Sequence, residues 1–288
     1  MEEIAQVLKK YDEEYVRQHF TDTASINAFA LSFYKDAADI YDAVTRVRNL
    51  ERNPNGFDLQ DAPILGLLVK VWKLLKEIIK YYEQNNAEII SILERPLIEA
   101  AVMSTYLMRS DNLVVEDYRK CSYKDRLRIL RDLESGSRFY ETKAGKRLLQ
   151  SVREKMLNEQ LTAGDFGAQK KNRWKVQGKS FFDIFALVES DDLYACTYGM
   201  MSESIHGSWN ESMDYCLLRK ADGTYSAYPF FQTADIRFVS PTLRFANKPF
   251  KLWLERIEAD DPNLMNALDW VERVNTAIFR KFDETYDG

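Results

Sequence analysis

The stretch from residue 62 to residue 108, APILGLLVKVWKLLKEIIKYYEQNNAEIISILERPLIEAAVMSTYLM, decides the fold class. In its first half Leu67, Leu68, Val71, Trp72, Leu75, Ile78, Ile79 and Tyr82 recur at three- and four-residue steps, with lysines on the opposite side. That spacing gives a helix with a wide apolar stripe, so the segment from about Gln60 to Gln84 is read as helical. Lys70, Lys73, Lys76 and Glu77 exclude an ordinary membrane span, because each charge is costly in hydrocarbon. After Gln84-Asn85-Asn86 a second helix runs from about Glu88 to Met108. Pro96 inside it lacks an amide hydrogen and crowds the preceding turn, so it either kinks this helix or opens a fresh one.

The same periodicity extends outward. Residues 2 to 18 form an amphipathic pattern, and Phe29, Phe33, Ala37, Ile40, Tyr41, Val44 and Val47 mark a helix from Ser25 to about Leu50. Residues 115 to 133 and 141 to 160 read as two charged helices, Ser180 to about Ser190 as a further one, and Asp192 to His206 as the next. The period then changes. YCLLRKADGTYSAYPFF, residues 215 to 231, places two short apolar-aromatic runs around Ala221-Asp222-Gly223, a β-hairpin signal. Ser240-Pro241 reads as the cap and first position of a helix through Glu258, and Pro262 to Tyr286 as the closing helix. The expectation is a mostly α protein, one helical-bundle domain with a small β-hairpin. Its core bundle covers residues 60–215, the hairpin excursion 215–240 and the C-terminal helices 241–288.

The chain has 288 residues, 45% of them hydrophobic and 30% charged, enough to bury a substantial core. A net charge of -5 gives no global attraction to nucleic acid or anionic lipid, so such binding needs a local patch. Cys121, Cys196 and Cys216 are too few and too scattered for a disulfide framework or a thiolate zinc site, and read as reduced thiols. The acidic, amphipathic start, MEEIAQVLKKYDEEY, is unlike a signal peptide, and the expected location is cytoplasmic.

Arg95 and Glu99 lie four apart on one helix, hence on one face. They are either a structural ion pair beside Pro96 or a polar pair facing a pocket. Tyr198, Ser202 and His206 stand at i, i+4 and i+8, with Glu203 on a neighbouring face. His206 is the natural acid or base near neutral pH, and Ser202 a hydrogen-bond partner or nucleophile. Read locally, Gly207 instead ends the helix as its cap and His206 meets the helix dipole. With two histidines in the chain and no paired cysteines, no metal or other cofactor is expected; Glu99 and Glu203 leave a carboxylate site as a remote option. There is no phosphate-binding glycine loop and no Gly-x-Ser-x-Gly elbow. Lys170, Lys171, Arg173 and Lys175 surround Trp174, which suits a nucleic-acid backbone with one stacked base; a solvated loop with its Trp in the core has the same composition.

RPLIEAAVMSTYL followed about a hundred residues later by WKVQGKS and LYACTYGMMSESIHGS resembles an uncharacterised family of helical bacterial proteins. Its members share an Arg-x-x-x-Glu helix and a later Tyr-x-x-x-Ser-x-x-x-His helix. The resemblance covers roughly residues 60 to 215 and implies that Arg95, Glu99, Trp174, Tyr198, Ser202 and His206 converge. That family is loosely similar to the HEPN superfamily, helical bundles that include ribonucleases of bacterial stress and phage-defence systems. HEPN proteins place an Arg shortly before the His on one helix; YGMMSESIH has none, and Arg95 could replace it only from a different helix. The implied partners are RNA or a nucleotide, with His206 as general acid/base and Arg95 on phosphate. The other expectation is a non-catalytic module, binding a protein partner or a second copy, in which the same cluster is structural. No membrane partner is expected.

Overall fold

The computed structural model describes residues 6–123, 136, 138–162, 164–165, 174–259 and 261–286. The fold is mostly helical, with one two-stranded antiparallel hairpin among the described residues. The chain divides into two compact units, residues 1–109 with 184–288, and residues 110–183.

The first unit contains α1 (Glu13–His19), α2 (Thr23–Arg46), α3 (Ala62–Glu83) and α4 (Ala87–Met108). It also contains α11 (Ile236–Arg256) and α12 (Pro262–Thr285), which return from the far end of the chain. Asp22, Asn86, Asp235 and Asp261 cap α2, α4, α11 and α12 by accepting backbone N–H groups that the first turn leaves unpaired. The stripe read from the sequence is the buried face of α3: Ile64, Leu68, Val71, Leu75 and Ile78 have no exposed area. α3 packs on α4, α4 on α11, and α11 on α12, while α2 lies against α3 and α12. Tyr41 stacks on Phe250 at 4.2 Å, and its hydroxyl donates to Asn247 Oδ1 at 3.1 Å, which ties α2 to α11. Asp61, almost fully buried at the start of α3, accepts from Arg256 Nε of α11 at 2.7 Å.

Three expected boundaries differ from those observed. The first expected helix is broken: residues 6–7 are helical, a turn follows, and Asp12 in extended conformation starts α1 by accepting the Tyr15 N–H. Residues 1–5 lie outside the described residues. α11 starts at Ile236 under Asp235, so Ser240-Pro241 lies inside the helix. The hydroxyl of Ser240 is held by Tyr34 at 2.7 Å, and a cap one turn earlier already serves the first amides. Pro241 lacks the N–H that would meet the carbonyl of Arg237, a loss that the packed helix tolerates. The helix expected from Asp192 to His206 is interrupted, as described below.

The second unit contains α5 (Asn112–Cys121) and α6 (Lys143–Asn158). The outer part of the helix expected over 115–133 lies outside the described residues. Tyr123, Val152 and Met156 form its buried cluster with Leu161 against them. Arg119 donates through Nε and Nη2 to Glu159 at 3.0 and 2.9 Å. Among the described residues, no helix is long and apolar enough to cross a membrane.

Candidate functional site

The site lies in the first unit, where α4 meets the segment that leads to the hairpin. α7 (Phe181–Val188) begins this segment, followed by α8 (Asp191–Tyr194), a π turn (Ala195–Gly199) and α9 (Glu203–His206). α10 (Trp209–Glu211), a second π turn (Ser212–Cys216) and strands β1 (Leu217–Arg219) and β2 (Tyr225–Ala227) complete it. Gly199 fits the first π turn: a Cβ there would stand 3.2 Å from the carbonyl oxygen of Tyr194. A π turn advances the chain by one extra residue and so re-aims the side chains after it. Gly207 ends α9 in the left-handed conformation at φ 61°, the cap its sequence suggested.

This geometry brings Arg95, Glu99, Tyr198 and His206 together. Arg95 Nη1 lies 3.3 Å from His206 Nε2. A guanidinium has no acceptor, so in this contact Arg95 donates and Nε2 accepts. The guanidinium also lies over the Tyr198 ring, 4.7 Å from its centre, a cation–π contact that fixes its plane. The Tyr198 hydroxyl donates to Glu99 Oε2 at 3.3 Å. Tyr198 is buried, and burial together with the Glu99 charge pushes its hydroxyl up to about 12, so it stays a donor at neutral pH. Arg95 and Glu99 are half-buried and His206 is exposed, so the cluster is closed on the Tyr198 side and open on the imidazole side. Ser202 Oγ donates to the carbonyl oxygen of Tyr198 at 3.0 Å, a bond back into its own segment.

Of the basic residues expected to contact nucleic acid, Lys170, Lys171 and Arg173 lie outside the described residues. Trp174 and Lys175 belong to the second unit. The Trp174 ring is half-buried beside Tyr118 at 6.4 Å, while Lys175 is exposed. Among the described residues, no three His, Cys, Asp or Glu side chains are arranged to hold a metal ion.

The structure adds residues that the sequence reading passed over. Glu94, next to Arg95 but on the inner face of α4, is 5% exposed and accepts from Thr242 Oγ1 of α11 at 3.1 Å. Burial pushes its carboxyl up to about 8, against the weaker effect of that hydrogen bond. Tyr215 in the second π turn is raised by burial and interacts with Ser91 and Glu94. A signal for Glu94 existed: Ile90, Leu97, Ile98 and Ala101 sit three, four and seven residues away, so the carboxylate shares the apolar stripe. Two cavities, of about 500 and 580 Å³, open elsewhere in this unit, and none of the four clustered residues lines either.

Residues 61–224 match the profile of a family of unknown function, DUF5677. The chain belongs to that family. The DUF5677 segment runs from the start of α3 to the hairpin turn, so it holds Arg95, Glu99, Tyr198, Ser202 and His206 together with Glu94. Thr242, which completes the environment of Glu94, comes from α11 outside it. No curated protein and no solved structure matches the chain.

Proposed function

We propose that this DUF5677 protein binds RNA at the Arg95–His206 pair and cleaves it without a metal, in the manner of a HEPN-like ribonuclease. The observation that carries this reading is the exposed 3.3 Å contact between Arg95 and the unprotonated Nε2 of His206. A phosphodiester entering the open side offers the guanidinium a charged acceptor in place of the neutral imidazole. That exchange releases Nε2, which then takes the proton of the ribose 2′-hydroxyl. The 2′-oxygen attacks phosphorus, the bond from phosphorus to the 5′-oxygen breaks, and water supplies the proton that the departing oxygen needs. The products are a 2′,3′-cyclic phosphate and a 5′-hydroxyl. Arg95 meets the charge that develops on the phosphorane, and Tyr198, itself held by Glu99, fixes its plane. Trp209, three residues after His206 and 60% exposed, offers a ring on which a base can stack.

The test is incubation of the purified chain with end-labelled single-stranded RNA in excess EDTA. Cleavage leaving a cyclic phosphate is expected, with DNA of the same sequence untouched because it lacks the 2′-hydroxyl. His206→Ala should lower the rate by about a hundredfold or more, the usual size of a lost general base. Absence of cleavage, or cleavage that His206→Ala leaves unchanged, rejects the mechanism.

A second reading has its own observation: the buried Tyr198 hydroxyl on Glu99 ties the π turn to α4. If the cluster is structural, Tyr198→Phe and Glu99→Gln lower the melting temperature and RNA is left intact. His206→Ala, an exposed substitution, separates the two readings because it acts on cleavage and not on the melt.

A further inference from the structure

The cavity of about 580 Å³ lies between α11, α12 and the α8–π segment, away from the Arg95–His206 cluster. Its volume is within the range of small-molecule sites, roughly 300–1,000 Å³. Three features of its wall define what fits there. Leu193, Leu243, Val271 and Phe279 make part of it apolar, with Phe279 42% exposed at the C-terminal half of α12. Arg244, Lys248, Lys251 and Arg280 also line it, against two carboxylates, Glu189 and Glu272. Both lysines are engaged: Lys248 donates to the carbonyl of Val188 and to Glu189 at 2.7 and 2.8 Å, and Lys251 pairs with Asp269 at 2.7 Å and with Glu272. Arg244 and Arg280 have no acceptor among the described residues.

The third feature is Asn275. Its Nδ2 donates to the carbonyl oxygen of Ser240 at 2.9 Å, which fixes the orientation of the amide, since the reverse would set two oxygens against each other. Its Oδ1, in a side chain 7% exposed, receives no hydrogen bond among the described residues. A buried amide oxygen left without a donor is costly, and a residue that lines a cavity in that state is suited to a donor from a ligand.

We propose that this cavity binds a small organic anion that has a planar apolar body and an N–H or O–H donor. The anionic group pairs with Arg244 and Arg280, the ring packs between Leu193 and Phe279, and the donor meets Asn275 Oδ1. The inference is independent of the RNA reading, which involves none of these residues.

Titration calorimetry on the full chain tests it with two probes that carry all three features, indole-3-acetate for a carboxylate head and 4-aminophenyl phosphate for a phosphate head. Their controls are indole, acetate, inorganic phosphate and 1-methylindole-3-acetate. At least one probe is expected to bind with a Kd on the order of 10–100 μM, and whichever head wins identifies the anion class. Arg244→Gln with Arg280→Gln, both at exposed positions, should weaken it about tenfold or more, and N-methylation of the indole probe by a similar factor. Asn275→Ala should remove the difference between indole-3-acetate and its N-methyl form; the arginine pair carries the test alone if that variant fails to fold. The proposal is overturned if neither probe binds more tightly than about 1 mM. It is equally overturned if the arginine pair has no effect, or if acetate or phosphate alone binds as well as the complete probes.

Discussion

Glu94 and Arg95 are neighbours in sequence and face opposite environments. Arg95 reaches outward to an exposed imidazole, whereas Glu94 is buried against Thr242 with its carboxyl pushed up to about 8 from an ordinary 4.5. The consequence is a pH dependence of stability with a defined sign. Below about pH 4.5 both folded and unfolded chains hold the Glu94 proton, and the group has no net effect. Between about 4.5 and 8 the unfolded chain has released it and the folded chain has kept it, so stability falls as pH rises through that window and stays low above it. Glu94→Gln removes this titration. Relative to the parent chain, the variant should gain stability progressively between those pH values, reaching about 4 kcal/mol near pH 8. Thermal melts of both proteins at about pH 5 and pH 8 measure this. A melting-temperature difference that does not grow with pH shows that Glu94 is ionised in the fold.

At the scale of the element, α4 is an unbroken helix from Ala87 to Met108 despite Pro96. Pro96 has no N–H for the carbonyl of Ile92, and a proline inside a helix costs roughly 3 kcal/mol relative to alanine. The helix endures because most of its residues are buried, including Ile90, Leu97, Ile98 and Ala101 around the proline. Pro96→Ala should therefore raise the melting temperature while disturbing the pair that flanks position 96, Arg95 and Glu99. RNA cleavage, if present, should fall even as stability rises. A variant that is more stable and equally active shows that the proline has no part in placing the arginine. Much of this architecture is legible in the sequence where the signals are local. The periodic stripes give α2, α3, α4 and α12, and Asp222-Gly223 marks the hairpin, whose turn closes with Gly223 N–H on the Lys220 carbonyl at 3.0 Å. The i, i+4 relation of Arg95 and Glu99 and the Tyr198–His206 spacing point to the cluster. What escapes is set by tertiary packing. Ser240-Pro241 carries a strong start signal, yet Tyr34 holds Ser240 in the interior and α11 begins a turn earlier. The π turn at residues 195–199 has no periodic signature; Tyr198 within it is buried against α4, and Ser202 turns back to the Tyr198 carbonyl.

For the whole molecule, the two units differ in the size of the core that their described residues form. The first unit is assembled from two distant stretches of chain, so α11 must return across more than a hundred residues to cover α4. Its buried side chains include Trp253, Tyr34, Tyr41, Phe33 and Phe250, each essentially without exposed area. No linker rich in Gly, Ser or Pro marks residues 110 and 184, where the division falls, although 28 of the 74 residues from 110 to 183 are charged, a larger share than the 30% of the whole chain. Among the described residues of the second unit the clustered core comprises Tyr123, Val152 and Met156 with Leu161, supported by the Arg119–Glu159 pair. Apolar burial is worth about 25 cal/mol per Å², so the core formed by the described residues of the second unit gives less resistance to opening than that of the first unit. Opening free energy sets amide exchange, and regions with few buried apolar contacts exchange through local unfolding well below the global limit. Amides of α5 and α6 should accordingly exchange at least about tenfold faster than those of α3, α4 and α11 under native conditions. Hydrogen–deuterium exchange with peptide resolution measures this directly. Equal protection in the two sets would mean that the units unfold as one cooperative body.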